Sequence, residues 1–170
     1  MAHALKHVDA TKRAGRFARW YSAIAATRPA RLVSRHVNWK LDPWLLRRSR
    51  GRFSTTLVFP TDVLETTGAK SGEHRRNAVI YFHDGTRVII VASNAGASRH
   101  PAWYHNLCAH PEVVFGGAAM HAREVQDPQE LERLETMADH VFPAFAIYRR
   151  DAARLDRRVP IIELTTADPE

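Results

Sequence analysis

One stretch limits the fold of this chain more than any other. Arg87 to Ser93 reads as the returning strand of a hairpin, and its Val88-Ile89-Ile90-Val91 run has no polar gap. A strand with one wet face alternates apolar and polar residues, so an unbroken apolar run points to burial on both faces. Ala78 to His83 is the outgoing strand, and Asp84-Gly85 is the turn signal between the two. Other strand signals surround this hairpin. Val63 to Thr67 is short and rich in β-branched residues. Val113 to Phe115 and His121 to Val125 form a second hairpin across Gly116-Gly117, and Val159 to Leu164 is a final strand. Gly68 to Arg76 and Asn94 to His100 read as polar loops.

Helices alternate irregularly with these strands. Pro101 to His110 starts with proline and stops before Pro111. Asp127-Pro128-Gln129-Glu130 resembles a capping box, and Leu131, Leu134, Ala138 and Val141 follow on one stripe. Pro143 interrupts, and a further helix carries Phe145, Tyr148, Ala152 and Leu155. The whole reads as an α+β domain built on a small sheet or barrel. At 170 residues the chain suits one such domain. The single cysteine, Cys108, rules out an internal disulfide and makes a reducing, cytoplasmic setting the expectation.

The first third differs in character. Residues 1–60 hold 13 of the 25 Lys and Arg but only two acids, Asp9 and Asp42. Residues 10–26 read as a helix with Phe17, Trp20, Tyr21 and Ile24 at helical spacing near Arg13, Arg16 and Arg19. Shorter helical pieces follow from Ala30 to Val37 and after Asp42-Pro43, closed by Gly51. Residues 1–58 are therefore expected to be a basic helical extension, and residues 59–166 the globular domain. The extension reads either as a peripheral helix on an anionic membrane or as a helix docked on the domain or a partner subunit. No nucleic-acid-binding module is recognisable. No apolar run approaches the roughly 20 residues of a spanning helix, and charges interrupt the N-terminus where a signal peptide would be apolar.

Two segments carry chemistry. Gly68 to Asn77 packs Lys70, Ser71, Arg75, Arg76 and two glycines into ten residues joining two strands. Glycines let the backbone approach a ligand, and the cations suit phosphate or carboxylate. The segment is either an anion site or a solvated basic turn. It is not a Walker loop, because no helix follows. Downstream, Ser93-Asn94-Ala95-Gly96 ends the buried strand, and Trp103, Asn106 and Leu107 share a face of the next helix. An indole beside an amide suits a flat heteroaromatic ligand, and the same residues would equally serve as core. His100, His105 and His110 are spread around the helix, so no metal site is expected. Cys108 reads as a packed thiol, and Arg149-Arg150 and Arg157-Arg158 as solvated helix faces.

Several of these motifs occur together and in order: Leu64-Glu65-Thr66-Thr67-Gly68-Ala69-Lys70-Ser71-Gly72, Arg75-Arg76-Asn77, Asp84-Gly85, Val91-Ala92-Ser93-Asn94, and His100-Pro101-Ala102-Trp103-Tyr104-His105-Asn106-Leu107. From about Asp62 to Leu164 the chain resembles the deazaflavin (F420)-dependent nitroreductase family. The resemblance implies a split β-barrel with flanking helices and the cofactor F420, a deazaflavin with a phosphate and a polyglutamate tail. It implies that Lys70 and Arg75 hold the phosphate or tail, with Ser71 and Asn77 nearby. Ala78 and Ile80 would line the ring, Ala92, Ser93 and Asn94 would lie along its edge, and Trp103 with Asn106 would form the far wall. Ser93 would hydrogen-bond the substrate, a quinone-like or nitro-aromatic small-molecule acceptor of hydride. Phe142, Phe145 and Tyr148 stand where the family's drug-activating member carries tyrosines over the substrate, and Ala69 where the family usually has a basic residue. The alternatives are an FMN-dependent oxidoreductase of the same fold and a non-catalytic F420-binding module at the membrane. A homodimer is an expectation from the resemblance alone.

Overall fold

The structure, a computed structural model, describes residues 5–11, 15, 20–22, 24, 27 and 59–166. Phe17, most of the 10–26 helix and the pieces expected around Ala30–Val37 and Asp42–Gly51 lie outside them. Trp20–Ser22 and Ile24 are helical.

Six antiparallel strands close into a barrel. They are β1 (Thr61–Thr67), β2 (His74–Asp84), β3 (Arg87–Val91), β4 (Glu112–Phe115), β5 (Ala118–Glu124) and β6 (Ile161–Thr166), in the order β1-β2-β3-β6-β5-β4. Closure rests on a short pairing of β1 with β4, Leu64 with Phe115 and Glu65 with Val114. Gly85, at φ +61°, takes the left-handed conformation that lets Asp84 pair with Arg87 across a two-residue turn. Within residues 59–166 the helices are α1 (Ala102–Ala109), α2 (Pro128–Val141) and α3 (Ala144–Ala153). This is the α+β split-barrel architecture expected from the sequence.

Two apolar cores share the strands. Leu64, Val79, Tyr81, Val88, Ile90 and Leu164 fill the barrel, and Trp103 and Leu107 of α1 join them. Phe82, Ile89, Val91 and Ile161 point outward under Leu134 and Ala138 of α2 and Phe145 and Tyr148 of α3. All four residues of the Val88–Val91 run are buried, alternating between the two cores, as the unbroken pattern requires.

Ion pairs fix α2 over the β2–β3 hairpin. Arg87 binds Glu163 at 2.6 Å and Glu130 at 2.8 Å, and Arg133 binds Asp84 at 2.7 Å. Hydrogen bonds from Arg133 and Arg87 hold the Asp84 carboxyl down at about 2. Asp127 caps α2 by accepting the Glu130 N–H at 2.8 Å, but the Glu130 carboxylate turns to Arg87 instead of back to the cap.

Several sequence expectations change. Cys108, expected as a packed thiol, is exposed. Arg149, expected on a solvated face, is part-buried and paired with Asp139 at 2.5 Å. The polar loop ends at Glu73, because His74, Arg75, Arg76 and Asn77 pair with Thr67, Thr66, Glu65 and Leu64 as the start of β2. Leu155 is 52% exposed, because α3 ends before it. Arg157 is buried, with consequences for the site.

Residues Leu5 to Ala10 lie against the barrel. The Val8 N–H donates to His83 Nδ1 at 3.1 Å, and the His83 N–H returns a bond to the Val8 carbonyl at 3.1 Å. The accepting nitrogen must be unprotonated. Burial and then the neighbouring His7 lower the His83 pKa from its ordinary 6.5. The unfolded chain therefore binds this proton more readily. The stability from neutral His83 is complete above pH 6.5 and is lost as pH falls through the lower folded value. The thermal midpoint is expected to fall on acidification from pH 7, and His83→Gln to flatten that slope. An unchanged slope would contradict this account.

Candidate active site

The β1–β2 connection is a tight hairpin end. Gly68 donates to the Glu73 carbonyl at 2.8 Å and Gly72, at φ +67°, donates to that of Gly68 at 2.9 Å. Lys70 and Ser71 stand exposed on it. Among the described residues Lys70 makes no ion pair. Arg75 is exposed and pairs with Glu73 at 2.5 Å, and Arg76 pairs with Glu65 at 2.9 Å. Exposed pairs of this kind are worth little, so an anion can take their place. Asn106 of α1 anchors the turn. Its Oδ1 accepts the Ala69 N–H at 3.1 Å and its Nδ2 donates to the buried Thr66 hydroxyl at 3.0 Å. The amide is thus committed to joining turn and helix.

The exit of β3 is the most unusual backbone in the domain. Asn94, Ala95 and Gly96 have φ of +45°, +50° and +74°. Two of the three carry a Cβ, which costs roughly 1–2 kcal/mol each in this region. Strain of this kind persists only where the surroundings enforce it. Gly96 is pressed against α3, where an added Cβ would lie 3.1 Å from the Tyr148 carbonyl oxygen. Asn94 Nδ2 donates to the Arg99 carbonyl at 2.8 Å.

Arg157 closes the same loop from beneath. Its Nε donates to the Ala97 carbonyl at 2.6 Å, Nη2 to Ser93 at 2.6 Å and Nη1 to Ala92 at 3.3 Å. Nη1 also lies 3.4 Å from His100 Nδ1. The residue is 6% exposed and burial lowers its pKa. Its placement comes from the end of α3. The Arg157 N–H bonds the Ala152 carbonyl and the Asp156 N–H that of Ala153, with Asp156 at φ +51°. This is a Schellman motif with aspartate where glycine is usual. The missing glycine hid the motif, so nothing in the local pattern marked Arg157 as buried.

The sequence-derived residues fall into two groups. Strand alternation puts Arg75 and Asn77 on the face of Val79 and Tyr81, toward the barrel interior, and Ala78 and Ile80 on the face of Phe82. On the interior side Arg75 pairs across from Thr66, which Asn106 binds. Trp103 and Ala92 are buried in the barrel core. On the outer side Ile80 and Ala95 pack on the layer that holds Phe142, Phe145 and Tyr148. The Phe142 ring stands edge-on to Phe145 at 5.0 Å and to Tyr148 at 6.0 Å. Ser93 is part-buried at the exit of β3, and among the described residues its hydroxyl makes no hydrogen bond. No group of three metal-ligating side chains forms among the described residues.

The sequence that forms this barrel matches a known family model. The F420H(2)-dependent quinone reductase profile fits residues 39–166. The chain belongs to that family. An F420H(2)-dependent quinone reductase of Mycobacterium tuberculosis is 29% identical over 147 residues, covering 80% of this chain and 97% of the relative. A Mycobacterium bovis relative matches to the same extent. A solved F420-H2 dependent reductase superposes with a TM-score of 0.54 at 31% identity, covering 62% of this chain and 93% of its own. A chain described as a domain-swapped dimer gives 0.54 at 27% identity, covering 71% and 96%. Family membership makes the protein an F420-dependent oxidoreductase.

The residues suit that cofactor. An unpaired Lys70 on an exposed turn answers a phosphate and carboxylate tail, while Phe142, Phe145 and Tyr148 are each buried in the outer layer formed with α2 and α3. No helix among the described residues is long and apolar enough to cross a membrane. Asn106 is the joint between the turn and α1. Asn106→Leu would leave the Ala69 N–H and the Thr66 hydroxyl without these partners, at an expected cost of about 2 kcal/mol in urea denaturation. A loss below about 0.5 kcal/mol would show that the joint is not needed.

Proposed function

We propose that this protein reduces quinone-like acceptors with reduced F420, holding the cofactor tail at the β1–β2 turn and its ring beside the Ser93–Gly96 loop. The observation that carries this is the seating of Gly96 on Tyr148. It joins the loop assigned to the ring edge with the aromatics assigned to the acceptor. When bound, F420H2 supplies a hydride from its ring carbon, and the protein supplies binding, orientation and exclusion of water.

Lys70 holds the phosphate or tail carboxylates as an unshared cation. Arg75 assists by exchanging Glu73 for the ligand, with Ser71 and Asn77 nearby. Ala78 and Ile80 line the ring, Ala92 and Asn94 border its edge, and Trp103 with Asn106 forms the far wall, Asn106 also tying that wall to the turn. Ser93 offers its hydroxyl to the acceptor. Phe142 and Phe145 give an apolar wall without a proton to donate, so among these three aromatics only Tyr148 carries a hydroxyl. FMN has the phosphate but no tail, and it would leave part of the cationic turn unused. Trp20 and Ile24, 61% and 43% exposed, support contact of the basic 10–26 segment with an anionic membrane, where quinones reside.

Under anaerobic conditions, menadione should reoxidise F420H2 only when the protein is present, read as the return of oxidised F420 absorbance. Lys70→Ala should raise the KM for F420H2 about tenfold with little change in kcat, as expected for uniform binding. Arg75→Ala should do less, because Arg75 already has a carboxylate partner. No protein-dependent reoxidation by menadione or a nitro-aromatic acceptor would sink the proposal.

A further inference from the structure

Arg157 has no part in the reading above, yet it is the one buried cation among the described residues. Burying a guanidinium is costly, and an ion pair is the usual compensation. Here, among the described residues, no carboxylate lies within ion-pair reach. The compensation comes from carbonyls of a single loop, those of Ala92, Ser93 and Ala97. That loop contains the left-handed Asn94 and Ala95, which would relax if nothing held their flanks. The planar fork of arginine reaches three carbonyls at once, and a lysine head cannot keep that geometry. Asp156 adopts a left-handed conformation that delivers Arg157 to this position.

We infer that Arg157 is a positioning residue for the ring end of the cofactor site, holding the Ala92–Ala97 loop in its strained form and thereby setting Ser93. The inference rests on the proposal that this loop borders the deazaflavin ring. It separates two ends of one ligand. Lys70 governs the tail, and Arg157 governs the ring through the loop without touching it. A residue that only stabilised the fold would raise amide exchange across the whole barrel, whereas loss of Arg157 should loosen residues 94–97 and leave β3 protected.

The experiment uses the full chain with Arg157→Met, Arg157→Lys and Lys70→Ala, and two probes, F420 and a deazaflavin lacking the phosphate and glutamates. Both Arg157 variants should bind both probes about tenfold more weakly, by similar factors. Lys70→Ala should weaken F420 alone. In ligand-free protein, amide exchange at residues 94–97 should rise about tenfold in the Arg157 variants while Val88–Val91 keep their protection. If Arg157→Met does not fold, Arg157→Lys gives the same comparisons with the charge retained. Unchanged exchange at residues 94–97, or a loss confined to F420, overturns the inference. Wild-type protein that binds neither probe overturns the cofactor reading, and the ring-end assignment falls with it. Wild-type binding with unaltered Arg157 variants defeats this inference alone.

Discussion

Everything in this domain hangs from β3, whose two faces belong to two different cores. Val88 and Ile90 face the barrel interior, while Ile89 and Val91 face the layer under α2 and α3. Removing either Ile89 or Ile90 to alanine would cost about 2–5 kcal/mol, because neither neighbourhood can collapse without disturbing the other. A strand clamped from both sides cannot shift register. Its end at Val91 is therefore a fixed point, and the Ala92–Ala97 loop leaves from it in a single direction.

The candidate site inherits that fixity. The Ala92 N–H donates to the Pro160 carbonyl at the entrance of β6, Gly96 sits on α3, and Arg157 gathers the carbonyls of Ala92, Ser93 and Ala97. On the other edge, Asn106 ties the cationic turn to α1, whose Trp103 and Leu107 are embedded in the barrel core. Both ends of an elongated ligand would thus meet parts held by the barrel itself. This suits a cofactor enzyme, where the ligand carries the reactivity and the protein fixes its place.

Local signals were legible in the sequence, and long-range ones were not. Asp84-Gly85 and Gly116-Gly117 announced their hairpins because only certain residues turn the chain so tightly. Asp127 and Pro128 announced α2. The closure of β4 on β1 was invisible, since it involves two residue pairs roughly fifty positions apart. The resemblance of ordered motifs supplied the barrel that periodicity alone left open. Arg157 was misread for a related reason. An arginine four residues after a helix looks solvated, and its burial follows from a left-handed Asp156 and from carbonyls some sixty residues away. The site residues on β2 were found as one set, but strand alternation divides them between two faces.

The central claim is a ligand gripped at both ends, by cations at the β1–β2 turn and by the loop that β3 and α3 hold. Parallel titrations of the purified protein with F420 and with FMN test it most directly, because the two share a phosphate and a flat tricyclic ring while only F420 has the glutamate tail. The account predicts saturable F420 binding in the micromolar range, with FMN about tenfold weaker or more. Equal or tighter binding of FMN, or protein that is purified yellow with FMN already in place, would contradict it.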